Sequence, residues 1–122
     1  MRMRLAIMVL ALVAGGGHLA LADSPHSFTI VNIEYEGTKI WLPSTLVVHK
    51  GDTVKLKLIN NVPSDPNQHG FAIAAFKVAE VVNRGEPKEV TFTADQAGIF
   101  PITCQLHPAH VGGQVVVLDE KK

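Results

Sequence analysis

The run Thr53-Val54-Lys55-Leu56-Lys57-Leu58-Ile59-Asn60 alternates polar and apolar side chains as far as Leu58. Val54, Leu56 and Leu58 fall on one face at a period of two, and Lys55 and Lys57 fall on the other. That is the pattern of a half-buried β-strand, because successive side chains of a strand point to opposite sides. Lys50-Gly51-Asp52 ahead of it is a turn signal. Asn61 to Gln68 behind it holds two prolines, two asparagines and an aspartate, and reads as a loop.

Working outward, the same kind of segment recurs. Ser27 to Tyr35 is rich in strand formers, with Phe28, Ile30, Ile33 and Tyr35 bounded by Glu36-Gly37. Thr45 to Val48 is a short strand. His69 to Ile73 places His69, Phe71 and Ile73 on one side, and Glu89 to Ala94 turns Val90 and Phe92 inward. In Gly98 to Cys104, the residues Phe100, Ile102 and Cys104 share a face, and Gly113 to Leu118 closes the series. Only Ala72 to Val82 is ambiguous, since its alanines would tolerate a helical turn. Seven or eight short strands with regular turn signals predict an all-β Greek-key sandwich and leave no helices for an α/β enzyme fold.

The first 22 residues read as an export signal. Arg2 and Arg4 precede ten apolar residues from Leu5 to Ala14, Gly15 to Gly17 end that run, and Ala20-Leu21-Ala22 offers a small-x-small cleavage site. The run is too short to span a bilayer, which takes about 20 apolar residues. Cleavage after Ala22 would leave one domain, residues 23–122, in the periplasm or another exported setting, with no stable membrane insertion.

The chain's eleven Lys and Arg balance eleven Asp and Glu. Without the two arginines of the signal, nine bases face eleven acids, a net charge of −2. Neither balance supplies the one-sided positive field that nucleic-acid binding needs. The single Cys excludes an internal disulfide and any multi-cysteine zinc or iron–sulfur site. An unpaired thiol outside the cytoplasm calls for protection or use.

Cys104-Gln105-Leu106-His107-Pro108-Ala109-His110 supplies the use: C-x2-H-x2-H in a loop between two predicted strands. A soft thiolate and two imidazoles within seven residues can turn onto one metal ion, and His69 is the candidate fourth ligand. This donor set suits copper, with zinc as the competitor. Electron-transfer copper sites take two His and one Cys in a plane and a weak axial ligand. His110 stands at the axial position, and no thioether can replace it, because Met1, Met3 and Met8 all lie in the export signal. His26 and His49 read as ordinary surface histidines. A nucleophilic Cys–His pair is the weaker alternative, since no orienting Asn or Asp lies nearby.

These residues resemble the cupredoxins over essentially the whole exported chain. The ligand loop has the short spacing of the amicyanins. Gly70-Phe71 through Phe76, Glu80-Val81-Val82, Thr91 to Asp95, Ala97-Gly98 and Cys104 to Pro108 are similar in order and spacing to the nitrosocyanins. Two features depart from the latter: His69 stands where they have a Glu ligand, and His110 comes earlier than their second loop histidine. A shorter segment before Thr45 means that their trimeric assembly cannot be carried over.

The resemblance implies one copper ion per chain, with Cys104 as the thiolate, His69 and His107 completing the plane and His110 axial. An imidazole donates more strongly than a thioether, so it would favour the cupric state and move the colour from blue toward green or red. Cupredoxins carry Asn after the first His; Gly70 stands there, which would cost that loop its side-chain stiffening. Leu106, Pro108, Ala109 and Val111 would form an apolar patch over residues 105–111, where a redox protein could dock. The leading expectation is a one-electron carrier and not an enzyme. The alternatives are a copper enzyme acting on a small molecule such as nitric oxide, and a copper buffer or delivery protein, for which the missing Met-rich tract is unfavourable.

Overall fold

A computed structural model describes residues 24–119, so the export signal expected at 1–22 lies outside the described residues. Nine strands and one 3-10 turn follow in order: β1 (His26–Tyr35), β2 (Thr38–Leu42), β3 (Thr45–His49), β4 (Thr53–Asn60), β5 (Gln68–Ile73), the turn Ala74–Phe76, β6 (Val78–Asn83), β7 (Lys88–Thr93), β8 (Gly98–Ile102) and β9 (Gly113–Leu118). The all-β expectation holds, with two strands more than the seven named from the sequence.

The additional strands have local causes. Glu36 and Gly37 have φ of 48° and 76°, and Tyr35 pairs with Thr38. Two successive left-handed residues make the tight hairpin turn whose twist suits antiparallel strands, so β2 folds straight back on β1. Ala74, Ala75 and Phe76 do form a helical turn, but Lys77, at φ 56°, ends it at once. The chain then returns as β6, antiparallel to β5.

Three sheets build the sandwich: a four-stranded sheet in the order β2-β1-β4-β7, a three-stranded sheet β3-β9-β8, and the ribbon β5-β6. β1 runs parallel to β4 and β3 parallel to β9, while the other ladders are antiparallel. The ribbon joins the smaller sheet through paired backbone bonds between Ala72 and Thr103, just past β8.

The alternation read in β4 decides the core. Val54, Leu56 and Leu58 are fully buried together with Ile30, Leu46, Val48, Phe71, Ile73 and Val115. Burial of each such aliphatic or aromatic side chain contributes about 1.5–3 kcal/mol. In β1 the inward face carries Ile30 and Asn32, and Tyr35 is 67% exposed. Apolar residues stand at both even and odd positions of that strand, so its sequence alone does not select a face. Asn32 and Asn60 pair across β1 and β4 at the end of the core that leads into the loop before His69. Among the described residues, no helix is long and apolar enough to cross a membrane.

Candidate metal centre

Position in the fold explains each side chain of the centre. His69 is the second residue of β5, directly after the loop that follows β4. That loop is held by Asn60, itself buried, whose side-chain amide donates to the carbonyls of Asn67 (2.9 Å) and Val82 (3.1 Å) and whose oxygen accepts the Val62 N–H (3.1 Å). Arg84 reinforces it, donating from its guanidinium to the Val62 carbonyl and from its backbone N–H to that of Asn67. His69 therefore enters the core on a fixed backbone and is 0% exposed.

Cys104 comes from the opposite side, carried past β8 by the Ala72–Thr103 bonds. The backbone N–H of Gly70 donates to its sulfur over 3.2 Å. Two consecutive turns follow, closed by His107 N–H to the Cys104 carbonyl (3.2 Å) and His110 N–H to the His107 carbonyl (3.0 Å). Val111 then donates to the Lys39 carbonyl at 3.3 Å, and Gly113 passes so close to Ser44 that a Cβ there would lie 2.1 Å from its carbonyl oxygen. The loop is thus anchored at both ends and folded inward.

All four residues expected from the sequence come together. His69, Cys104, His107 and His110 each offer a ligand atom, and these atoms lie within 4.8 Å of one another. The imidazole centroids are 5.2 Å apart for His69–His107, 4.9 Å for His69–His110 and 4.6 Å for His107–His110. Cys104 Sγ is 3.6 Å from His107 Nδ1, close to the ~3.5 Å separating a thiolate and an imidazole bound tetrahedrally to one ion.

Neither ring nitrogen of the buried His69 has a hydrogen-bond partner. An orphaned polar atom in a core costs free energy unless something binds it; a metal ion shared with the surrounding donors would take one of the two nitrogens, and the Pro66 backbone also acts on the ring. Burial, followed by the neighbouring His110, His107 and Lys39, pushes the His69 pKa down to about 4. Burial, followed by His107 and Lys39, lowers that of His110. The His69 lone pair is therefore available at neutral pH. These residues fit a copper ion.

The apolar residues expected around the loop are exposed: Leu106 at 42% and Val111 at 45%, with Leu42 of β2 at 39%. Pro108 and Ala109 are exposed as well. His26 and His49 lie at the far end of β1 and β3, flanking the Asp52 carboxylate at 3.4 and 4.0 Å. Their reading as histidines outside the centre holds.

The loss of stiffening expected at Gly70 does not occur in the form foreseen. A Cβ there would meet Gln105 Oε1 at 2.3 Å and Cδ at 2.6 Å. The Gln105 side chain occupies that space and is tethered by donation to the Glu80 carbonyl (3.1 Å). From the other side the Trp41 indole donates to the Gly70 carbonyl at 3.0 Å. Trp41 and Gln105 are the residues that sequence reasoning missed. The signal for Trp41 was the chain's lone tryptophan after a Glu-Gly turn; Gln105 carried none.

A family description, the cupredoxin-like domain, matches residues 4–117. Among curated proteins, the chain is similar to nitrous-oxide reductase of Cupriavidus necator, 44% identical over 55 residues, which is 45% of this chain and 9% of that protein. The nitrous-oxide reductase of Ralstonia nicotianae is 42% identical over 55 residues, covering 45% and 8%. The chain thus spans under a tenth of the length of either relative. Among solved structures, a copper nitrite reductase from Nitrosomonas europaea superposes with a TM-score of 0.62 at 23% identity, over 80% of this chain and 43% of that one. A Cu-containing nitrite reductase from Thermus scotoductus gives 0.63 at 25% identity, over 81% and 29%.

Proposed function

The chain belongs to the cupredoxin-like domain family, and on that premise we propose that it is an exported one-electron carrier whose copper is held by Cys104, His69, His107 and His110. The observation that carries this reading is the buried His69, both ring nitrogens unpartnered, facing a thiol and two more imidazoles within 4.8 Å. Bound copper supplies one chemistry, the gain and loss of a single electron between its cuprous and cupric states.

The protein's contribution is to hold one arrangement through both states. Cys104 supplies a thiolate whose charge is tempered by the Gly70 N–H. His69, locked in β5 and shielded from protons by burial, keeps its lone pair directed inward. The backbone that carries His107 and His110 is held by consecutive turns anchored to the Cys104 carbonyl and to β2. His110 would complete the donor set with a second loop imidazole, a stronger donor than a thioether, and would favour the cupric form. The order of motifs shared with the nitrosocyanins, with His69 in place of their Glu, supports a colour between red and blue.

The exposed Leu106 and Val111, which flank the loop histidines along the chain, support docking of a redox protein there through a small apolar contact, suited to a transient complex. Export rests on the Arg2/Arg4, Leu5–Ala14 and Ala20-Leu21-Ala22 pattern. It also accounts for a lone thiol that escapes oxidation by ligating a metal.

A second reading, a copper enzyme acting on a small molecule such as nitric oxide, has one observation in its favour. Thr103, Cys104, Gln105, Pro108, His110 and Gly112 line a cleft of about 380 Å³ beside the centre. Copper titration followed by absorption and electron paramagnetic resonance separates the two. An intense thiolate-to-copper band, indifferent to added nitric oxide, is the expected outcome for a carrier. A cupric spectrum that changes on adding nitric oxide favours the enzyme, and absence of any thiolate band overturns the carrier.

A further inference from the structure

The contacts converging on Gly70 form a clamp. Its carbonyl accepts the Trp41 indole N–H at 3.0 Å from one side, and this bond is buried and spans 29 residues. The vacant Cβ position on the other side is taken by Gln105, whose amide is anchored to the Glu80 carbonyl of β6. Between these two holds, the Gly70 N–H donates to Cys104 Sγ. Trp41 is itself fixed, 5% exposed and edge-on to Phe71 with ring centroids 5.4 Å apart.

We infer that Trp41 and Gln105 are positioning residues that hold the Gly70 N–H on the Cys104 sulfur and so set how strongly that sulfur donates to the metal. The indole N–H fixes the plane of the peptide after Gly70, and Gln105 blocks movement of Gly70 away from the ribbon. Together they restrict the preceding peptide, which carries the donor. A hydrogen bond to a thiolate withdraws charge from it. Loosening the clamp returns that charge to sulfur, which stabilises the cupric state and lowers the reduction potential. Gly70 is then required for a reason other than backbone freedom, since any side chain would displace Gln105. The inference rests on the copper reading for its redox consequence but not for the clamp.

Two variants test it. Trp41→Phe keeps an aromatic ring against Phe71 and removes the donor along with part of the buried ring volume, whereas Gln105→Ala removes the brace at an exposed position. In the metal-free full chain, hydrogen exchange of the Gly70 amide, read by nuclear magnetic resonance, should quicken by about fivefold in either variant, the factor that one hydrogen bond's net contribution corresponds to. With copper, the potential should fall and the thiolate band should shift in both. Gly70→Ala alone should disturb the band, and Gly70→Ala with Gln105→Ala should restore it in part. If both variants fold, yet Gly70 exchange and the potential match the parent, the clamp is wrong. A parent chain that shows no thiolate band fails the copper reading instead and leaves the exchange result to judge the clamp.

Discussion

The side-chain amide of Asn60 donates to the carbonyl of Asn67 over 2.9 Å, so the last residue of β4 holds the loop two residues ahead of His69. The strand whose alternation builds the core thus also places the first imidazole of the centre. Asn60 makes two further bonds and is 1% exposed.

Asn60→Ala should therefore act on both stability and the metal. It removes a buried donor and acceptor and strands the Val62 N–H, at a cost of about 2–3 kcal/mol. Urea unfolding of the metal-free protein should show that loss. Copper titration should show weaker binding, although no ligand has been touched.

His110→Met tests the axial assignment. A thioether donates less than an imidazole, so the thiolate-to-copper band should become bluer and the potential should rise. An unchanged absorption spectrum would remove His110 from the axial role.

Acid should weaken the metal-free fold through His69. Its pKa is about 4 in the folded chain against 6.5 for an unperturbed histidine. Between those values the unfolded chain takes up a proton that the folded chain refuses. Its contribution is therefore fully present above about pH 6.5 and declines as pH falls toward 4, by about 3 kcal/mol in all. His110, shifted in the same direction, adds to the trend. Urea midpoints measured from pH 7 to 4.5 should fall steeply in the parent and more gently in His69→Gln. Copper should protect the parent, because a ligated nitrogen is closed to protons.

Leu56→Ala probes the core where β4 crosses it. Leu56 is fully buried, so truncation should cost about 2–5 kcal/mol through lost burial and the cavity left behind. The copper affinity of the folded fraction should stay unchanged, unlike that of Asn60→Ala.

Leu106→Glu tests the apolar patch without needing the natural partner. Electron self-exchange between copies, read from line broadening in mixtures of reduced and oxidised protein, should slow by about tenfold, and more at low salt, where like charges repel most strongly. The absorption band should not move. A self-exchange rate equal to the parent's would place electron entry elsewhere.

Legibility of the fold followed the range of the interactions. Val54, Leu56 and Leu58 announced their burial because alternation within one strand is a local signal. β2 and β6 did not: Thr38–Leu42 shows no clean alternation, and the alanines before β6 fit a helical turn as well as a strand. Phe28, Ile30, Ile33 and Tyr35 all mark β1 as a strand, but apolar type alone does not choose between its faces. The four candidate ligands were legible for chemical reasons, since a lone thiol and histidines at tight spacing have few other uses.

The amino-acid order alone established an all-β sandwich and a Cys-and-three-His donor set, because side-chain period and ligand type are properties of short segments. The folded chain alone decided which groups surround those donors. That the Gly70 N–H meets the Cys104 sulfur 34 residues away, that Trp41 and Gln105 both contact Gly70, and that neither nitrogen of His69 finds a side-chain partner follow from how three sheets pack. Such contacts are set by burial and long-range backbone pairing, which no local pattern encodes.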